Sequence, residues 1–219
     1  MSSPSVRIVL VPGLGLDERS LSGVLARLPE RLPAAVVHLP GMGLPGPVPP
    51  MEELADRLLA AAGQGPLVLV GHSQSCQVVA AAGRDPRVGA LVLLGPTTDP
   101  RLRSAPRLVG RWLGTAWAEP RWQLPVVLAQ WWRTGPRAMA ALWRVAAPDR
   151  IDARLREVPA PVVVVRGTRD RLCPHDWAAL LARTAPKGRL VELPRAAHMT
   201  VQTRPDDVAR VIREAAAGH

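Results

Sequence analysis

The chain has 219 residues, 47% of them apolar, which suits one domain with an insertion and a sizeable core. Its formal charge of +10 is carried almost wholly by arginine, since Lys187 is the sole lysine, and it has seven Trp but neither Phe nor Tyr. No uncharged apolar run reaches the roughly 18 residues of a membrane span, and Met1–Arg7 lacks the pattern of a secretory leader, so a soluble cytoplasmic protein without a membrane span is expected.

Val6–Val11 reads as a strand and Glu18–Leu28 as a helix. Ala35–Leu39 is a short strand, and Met51–Ala62 is a helix opened by Pro49 and Pro50. Leu67–Val70 is a third strand followed by a helix over Gln74–Gly83, and Leu91–Leu94 is a fourth. Pro161–Val165 is a fifth strand, with a helix from Pro174 to Ala185. Arg189–Leu193 is the sixth strand, and Pro205–Ala217 is a last helix. Several strands are continuously apolar rather than alternating, as a parallel sheet covered on both faces requires. The expected fold is therefore α/β, a doubly wound, mostly parallel six-stranded sheet with right-handed crossovers.

Thr97–Ala160 breaks the rhythm, because it is far longer than a normal crossover. It holds six of the seven tryptophans (Trp112, Trp117, Trp122, Trp131, Trp132 and Trp143), and eleven arginines against five acids. Its apolar spacing is helical, interrupted by Pro106, Pro120, Pro125, Pro136 and Pro148. It reads as a helical cap, residues 97–160, inserted into a core of residues 1–96 and 161–219. Trp is also a good core filler, so about half of these rings are expected to pack internally and half to line a pocket. Trp131, Trp132 and Trp143 are the candidate substrate-lining rings.

Gly71-His72-Ser73-Gln74-Ser75 joins the third strand to its helix, which puts a serine at the apex of a tight corner. Serine is also a favoured helix N-cap. Nucleophilic catalysis needs in addition a base, an acid that orients the base, and donors for an oxyanion. Asp170 follows the fifth strand in Gly167-Thr168-Arg169-Asp170, and His198 follows the sixth. In a parallel sheet these loops emerge at one rim. Asp99, after the fourth strand, is the rival acid. Of the other histidines, His72 belongs to the corner, His175 begins a helix, His38 ends the second strand and His219 is terminal. The turn Gly13-Leu14-Gly15 after the first strand can aim the Leu14 N–H inward beside that of Gln74, the residue after the serine.

The pattern resembles the α/β-hydrolase superfamily over nearly the whole core. The glycine turn after the first strand, Leu39-Pro40-Gly41-Met42-Gly43 after the second, the corner at Ser73 and the Ser…Asp…His order carry the likeness. The resemblance implies Ser73 as nucleophile, His198 as general base and acid, Asp170 as orienting acid, and the Leu14 and Gln74 N–H groups as oxyanion hole. It also implies a compact version of the fold that lacks the first two strands of larger members. Ser75 stands where the corner's last glycine is usual, which predicts a slightly distorted corner, and Pro12 stands where many members have histidine.

The leading expectation is a serine hydrolase that cleaves an ester, thioester or lactone with an apolar acyl group. A lyase, cyclase or isomerase that uses Ser73 and His198 as acid–base groups is the alternative, and a silent binding protein is a third. The arginines form a solvated face, or attract an acidic acyl carrier, a coenzyme A thioester or an anionic lipid surface. No motif supports nucleic acid. No cofactor is expected, because the dinucleotide glycine pattern is incomplete and no phosphate-loop lysine is present. Cys76 and Cys173 follow no metal-ligand spacing, and Cys76 is expected as a small buried thiol, so no metal site is expected either.

Overall fold

Valine and leucine segments occupy the middle of the molecule because they can be buried on both faces of a sheet. The computed structural model describes residues 6–102 and 105–218, without the side chains of residues 105, 106 and 108. The absent-leader reading of residues 1–5, Arg103 and His219 therefore lie outside the described residues. β1 (Arg7–Val11) leads through a 3-10 turn and α1 (Ser22–Leu25) to β2 (Ala34–Val36). A two-residue pair, β3 (Leu39–Pro40) and β4 (Gly43–Leu44), precedes α2 (Met51–Ala62). Then come β5 (Leu67–His72), α3 (Ser75–Ala82) and β6 (Val88–Leu94). The long crossover carries α4 (Ala105–Ala116), α5 (Gln123–Thr134), α6 (Pro136–Ala146) and α7 (Ile151–Leu155). β7 (Val162–Gly167), α8 (His175–Thr184), β8 (Gly188–Leu193), α9 (Thr200–Thr203) and α10 (Pro205–Ala217) complete the chain.

The main sheet runs β2-β1-β5-β6-β7-β8, and every neighbouring pair is parallel. Alternate residues of each strand feed opposite cores. Val9, Val11, Leu67 and Leu69 pack with α2, α3 and α8, through residues such as Leu54, Leu58, Val79 and Leu181. Ile8, Leu10, Val68 and Val70 pack with α1 and α10, through Val24, Val208, Val211 and Ile212. Two buried faces explain why these strands are apolar without alternation. α10 begins with proline at its first position, where no helical N–H is lost, as does α6.

Three expectations from the sequence need adjusting. The helix expected over Glu18–Leu28 is a 3-10 turn and a four-residue helix, because the Asp17 carboxylate caps the Arg19 N–H and starts a tighter turn. The second strand stops at Val36; beyond it Leu39 pairs locally across Gly41, whose φ of 81° turns the chain out of the main sheet. The fourth strand starts three residues earlier than expected, at Val88, with Gly89 skipped by the register as a bulge between Val88 and Ala90.

Pro120 and Pro148 separate the crossover helices, and Pro125 sits in the first turn of α5. Among the described residues no helix is long and apolar enough to cross a membrane.

Gly167, at the end of β7, touches the loop after β8 so closely that an added Cβ would fall on the carbonyl oxygens of Ala196 and Ala197. Gly167→Ala is expected to lower the thermal midpoint through overpacking of about 1–3 kcal/mol, roughly 2–12 °C for a chain of this length. Differential scanning fluorimetry measures it, and an unchanged midpoint would show that the two loops are free to separate.

Candidate active site

The chain visits β2 between β1 and β5, yet β1 and β5 are neighbours. The loops after these two strands therefore diverge and leave a crevice at the carboxyl rim. Ser73 stands there, between β5 and α3, with φ 57°, a left-handed conformation that costs energy in a residue with a side chain. Its own N–H donates to the Leu94 carbonyl at 2.7 Å, which helps hold the corner in place. Gly71 lets α3 return against the strand, since a Cβ there would meet the Cys76 backbone at 2.9 Å.

Ser75 is fully buried, and its hydroxyl is used. It accepts from the His72 N–H at 2.8 Å and donates to the Val11 carbonyl at 2.8 Å. The residue in place of the usual glycine thus ties the corner to the end of β1.

Three side chains from distant strand ends meet at this corner. The His198 Nε2 lies 2.9 Å from the Ser73 Oγ, and its Nδ1 lies 2.7 Å from the Asp170 Oδ2. The second carboxylate oxygen of Asp170 accepts the N–H groups of Leu172 at 2.8 Å and Cys173 at 3.1 Å. Burial works against ionisation of Asp170, but the charge and hydrogen bond of His198 and these two N–H groups outweigh it and hold the carboxyl below its ordinary value. Burial likewise works against the imidazolium of His198, and the Asp170 charge overcomes it, so the imidazole is held above its ordinary 6.5. His72, beneath the site, is pulled down to about 3 by burial and by the His198 charge, and so stays neutral.

The rival acid is engaged elsewhere: Asp99 is buried against Arg101, which donates to both of its carboxylate oxygens. His38 pairs with Glu18 and His175 with Glu192, and neither reaches the crevice. Cys76 and Cys173 are buried, unbridged thiols, both held protonated by desolvation. Among the described residues no cluster of His, Cys, Asp and Glu could hold a metal ion.

Leu14 and Gln74 both line the cavity beside Ser73. Among the described residues their backbone N–H groups have no protein acceptor. The loop bearing Leu14 is fastened by α5: Gln130 accepts the Asp17 N–H at 2.8 Å, and the Thr134 hydroxyl donates to the Gly15 carbonyl at 3.1 Å. Gly15 has φ 72° and packs so tightly under Trp131 that a Cβ would meet the indole at 2.5 Å.

The cavity holds about 280 Å³ and is walled largely by apolar groups, among them Leu16, Val127, Trp112, Trp131, Trp143 and Met199. Trp131 and Trp143 line it as the sequence suggests, whereas Trp132 does not and is exposed. The physical reason is helix phase: consecutive residues on α5 point about 100° apart, so only one of the two rings can face inward. Trp112, passed over in the sequence, lines the cavity and stacks obliquely on Trp131 with centroids 5.8 Å apart. About half of the six rings are expected to pack internally, yet Trp117 and Trp122 face solvent, as Trp132 does.

Glu119 was also missed, because a single acid in an arginine-rich stretch carries no pattern. One of its oxygens accepts the Met199 N–H at 2.6 Å, next to His198, and the other is buried with no hydrogen-bond partner at bonding distance among the described residues. Desolvation raises its carboxyl above the ordinary value, and its negative charge in turn favours a protonated His198.

The model of the alpha/beta hydrolase family matches residues 8–211. No curated protein matches the chain. Similar solved structures include a hydrolase from Oleispira antarctica, with TM-score 0.79 and 13% identity over 100% of this chain and 93% of that one. The enol-lactonase from Burkholderia xenovorans LB400 has TM-score 0.78 and 19% identity over 98% and 92%. A thermophilic esterase from Thermogutta terrifontis has TM-score 0.71 and 20% identity over 97% and 90%. At such identities the likeness is one of fold.

Glu119→Gln keeps an oxygen for the Met199 N–H and removes the charge. With less negative potential at the ring, the His198 imidazolium should lose its proton at lower pH than in the parent. Nitrogen-15 histidine spectra across a pH series report this, and an unshifted titration would remove Glu119 from the electrostatics of the site.

Proposed function

Starting from the chain's membership of the alpha/beta hydrolase family, we propose that it is a serine hydrolase of carboxylic esters, thioesters or lactones with an apolar acyl group. The observation that carries this reading is the unbroken contact from Ser73 through His198 to Asp170 at the wall of an apolar cavity. That two of the similar structures are an esterase and an enol-lactonase agrees with a carbonyl substrate.

In this reading His198 takes the Ser73 proton as the Oγ attacks the carbonyl carbon. The Leu14 and Gln74 N–H groups then receive the oxyanion, a stabilisation typically worth about 3 kcal/mol per donor. Collapse expels the alcohol or thiol, which takes the proton from His198 and leaves an acyl-Ser73. Water then attacks with the same imidazole as base and restores the serine. Asp170 keeps the ring in the tautomer whose Nε2 can accept and stabilises the imidazolium. Residues 97–160 act as a cap over the core, and Trp112, Trp131 and Trp143 receive the acyl chain. A carrier protein or coenzyme A thioester would enter through its acyl portion.

The base must be neutral to act, so turnover should rise with pH as His198 loses its proton, with the midpoint above the ordinary 6.5 because Asp170 holds it there. Ser73→Ala should lower kcat on an aryl ester by at least about 10⁴-fold and abolish labelling by a fluorophosphonate. Products formed in ¹⁸O-water should carry the heavy oxygen in the new carboxylate. A wild-type protein that never labels, or products free of solvent oxygen, would overturn hydrolysis through an acyl-enzyme.

A further inference from the structure

On α5 three polar side chains are buried, while a row of apolar ones, apart from Val127 and Trp131 at the cavity, faces out. Gln123, Gln130 and Thr134 are buried, and the last two are taken up by the loop at Gly15–Asp17. Leu124, Leu128 and Trp132 recur every fourth residue and are exposed, Trp132 by 86%. α4 carries a second exposed apolar strip, Val109, Trp112 and Leu113, and Trp117 just beyond it is 85% exposed. Val109, Trp112 and Leu124 also line the cavity, so its mouth opens within this surface. The shared cavity lining at Val109, Trp112 and Leu124 and the Trp112–Trp131 contact join the two strips, and so much exposed Trp and Leu marks an interaction surface.

The charges narrow the partner. Several surface arginines elsewhere meet acids, as in Arg27–Asp206, Arg57–Glu53, Arg84–Glu157 and Arg210–Glu214, while others, such as Arg31, Arg156, Arg169 and Arg183, have no carboxylate at ion-pair distance among the described residues. Arg107, Arg111 and Arg121 are exposed beside the apolar strips, and among the described residues none of them has a carboxylate at ion-pair distance. Glu119, the sole acid between 105 and 134, is half-buried toward the site. A second copy laid on this face would oppose arginine to arginine. A bilayer with acidic headgroups meets both needs: indole rings settle at the boundary between headgroup and acyl chain, and guanidinium groups pair with phosphate oxygens.

We propose that the exposed face of α4 and α5 docks on an anionic lipid surface. Val109, Trp112 and Leu124 then hold the cavity mouth against the bilayer, and an apolar acyl substrate can reach Ser73 without crossing bulk water. That last consequence rests on the proposed hydrolysis; the docking does not.

Co-sedimentation of the full chain with phosphatidylcholine vesicles, with and without phosphatidylglycerol, tests this. The protein should partition onto the phosphatidylglycerol vesicles, less so as salt rises, with a blue shift of tryptophan emission. Trp117→Ser combined with Trp132→Ser, neither ring touching the cavity, should weaken partitioning at least about tenfold while the thermal midpoint holds. Arg107→Glu with Arg111→Glu should abolish the preference for phosphatidylglycerol. Ser73→Ala protein should bind as the parent does, which separates docking from chemistry. Wild-type protein that stays in the supernatant at low salt, or variants that partition equally well, would overturn the proposal. So would a wild-type dimer that ignores vesicles and dissociates on loss of the two rings, since it would assign the face to a second copy.

Discussion

The buried pair of the Asp170 carboxylate and the His198 imidazole is the interaction around which the rim is organised. Neither partner is easily ionised alone in so dry a place, and each makes the other's charge tolerable. The pair also spans two strand ends, those of β7 and β8, and Gly95 from the end of β6 lies against both side chains. Removing either partner would leave the other charged and unpaired, or neutral and wrongly oriented, so the loops and the ring stand or fall as one unit. The strained turn at Ser73 holds its oxygen 2.9 Å from the imidazole.

A second constraint joins the inserted helices to this rim. The turn after β1 has backbone groups that no strand satisfies, and α5 supplies Gln130 and Thr134 to them. Glu119 makes the equivalent bond to the N–H after His198. The segment between β6 and β7 thus holds two loops of the site through hydrogen bonds to their backbones, while three of its tryptophans, Trp112, Trp131 and Trp143, line the cavity. The polar side of α5 is consumed by this task, and its apolar side is left to the cavity and the outside.

Much of the fold and many of the site positions were legible in the sequence. Continuous Val and Leu runs separated by helical spacing can satisfy two cores only as a parallel sheet, and Met51–Ala62 and Pro205–Ala217 were readable to the residue because proline marks their starts. Glycine, serine, aspartate and histidine at strand ends are local signals, and sheet topology brings them to one edge whatever the details of packing. The helix at Glu18 was misjudged because an aspartate cap competes locally with helical spacing.

What the chain order and residue types determined, then, is the sheet, its rim and the set of groups able to gather there, since each follows from local pattern and the geometry of parallel strands. Tertiary structure decided which group meets which. The Gly-x-x-Asp turn and the Ser…Asp…His order favour Asp170 over Asp99 in the sequence, but only the fold shows that Asp170 meets His198 while Asp99 meets Arg101. Trp131 and Trp132 are adjacent and identical, and only the rotation of α5, set by its bonds to Gly15 and Asp17, sends one ring to the cavity and the other to solvent. A helix's phase relative to its neighbours is a property of the packed whole, and no spacing within the helix can state it.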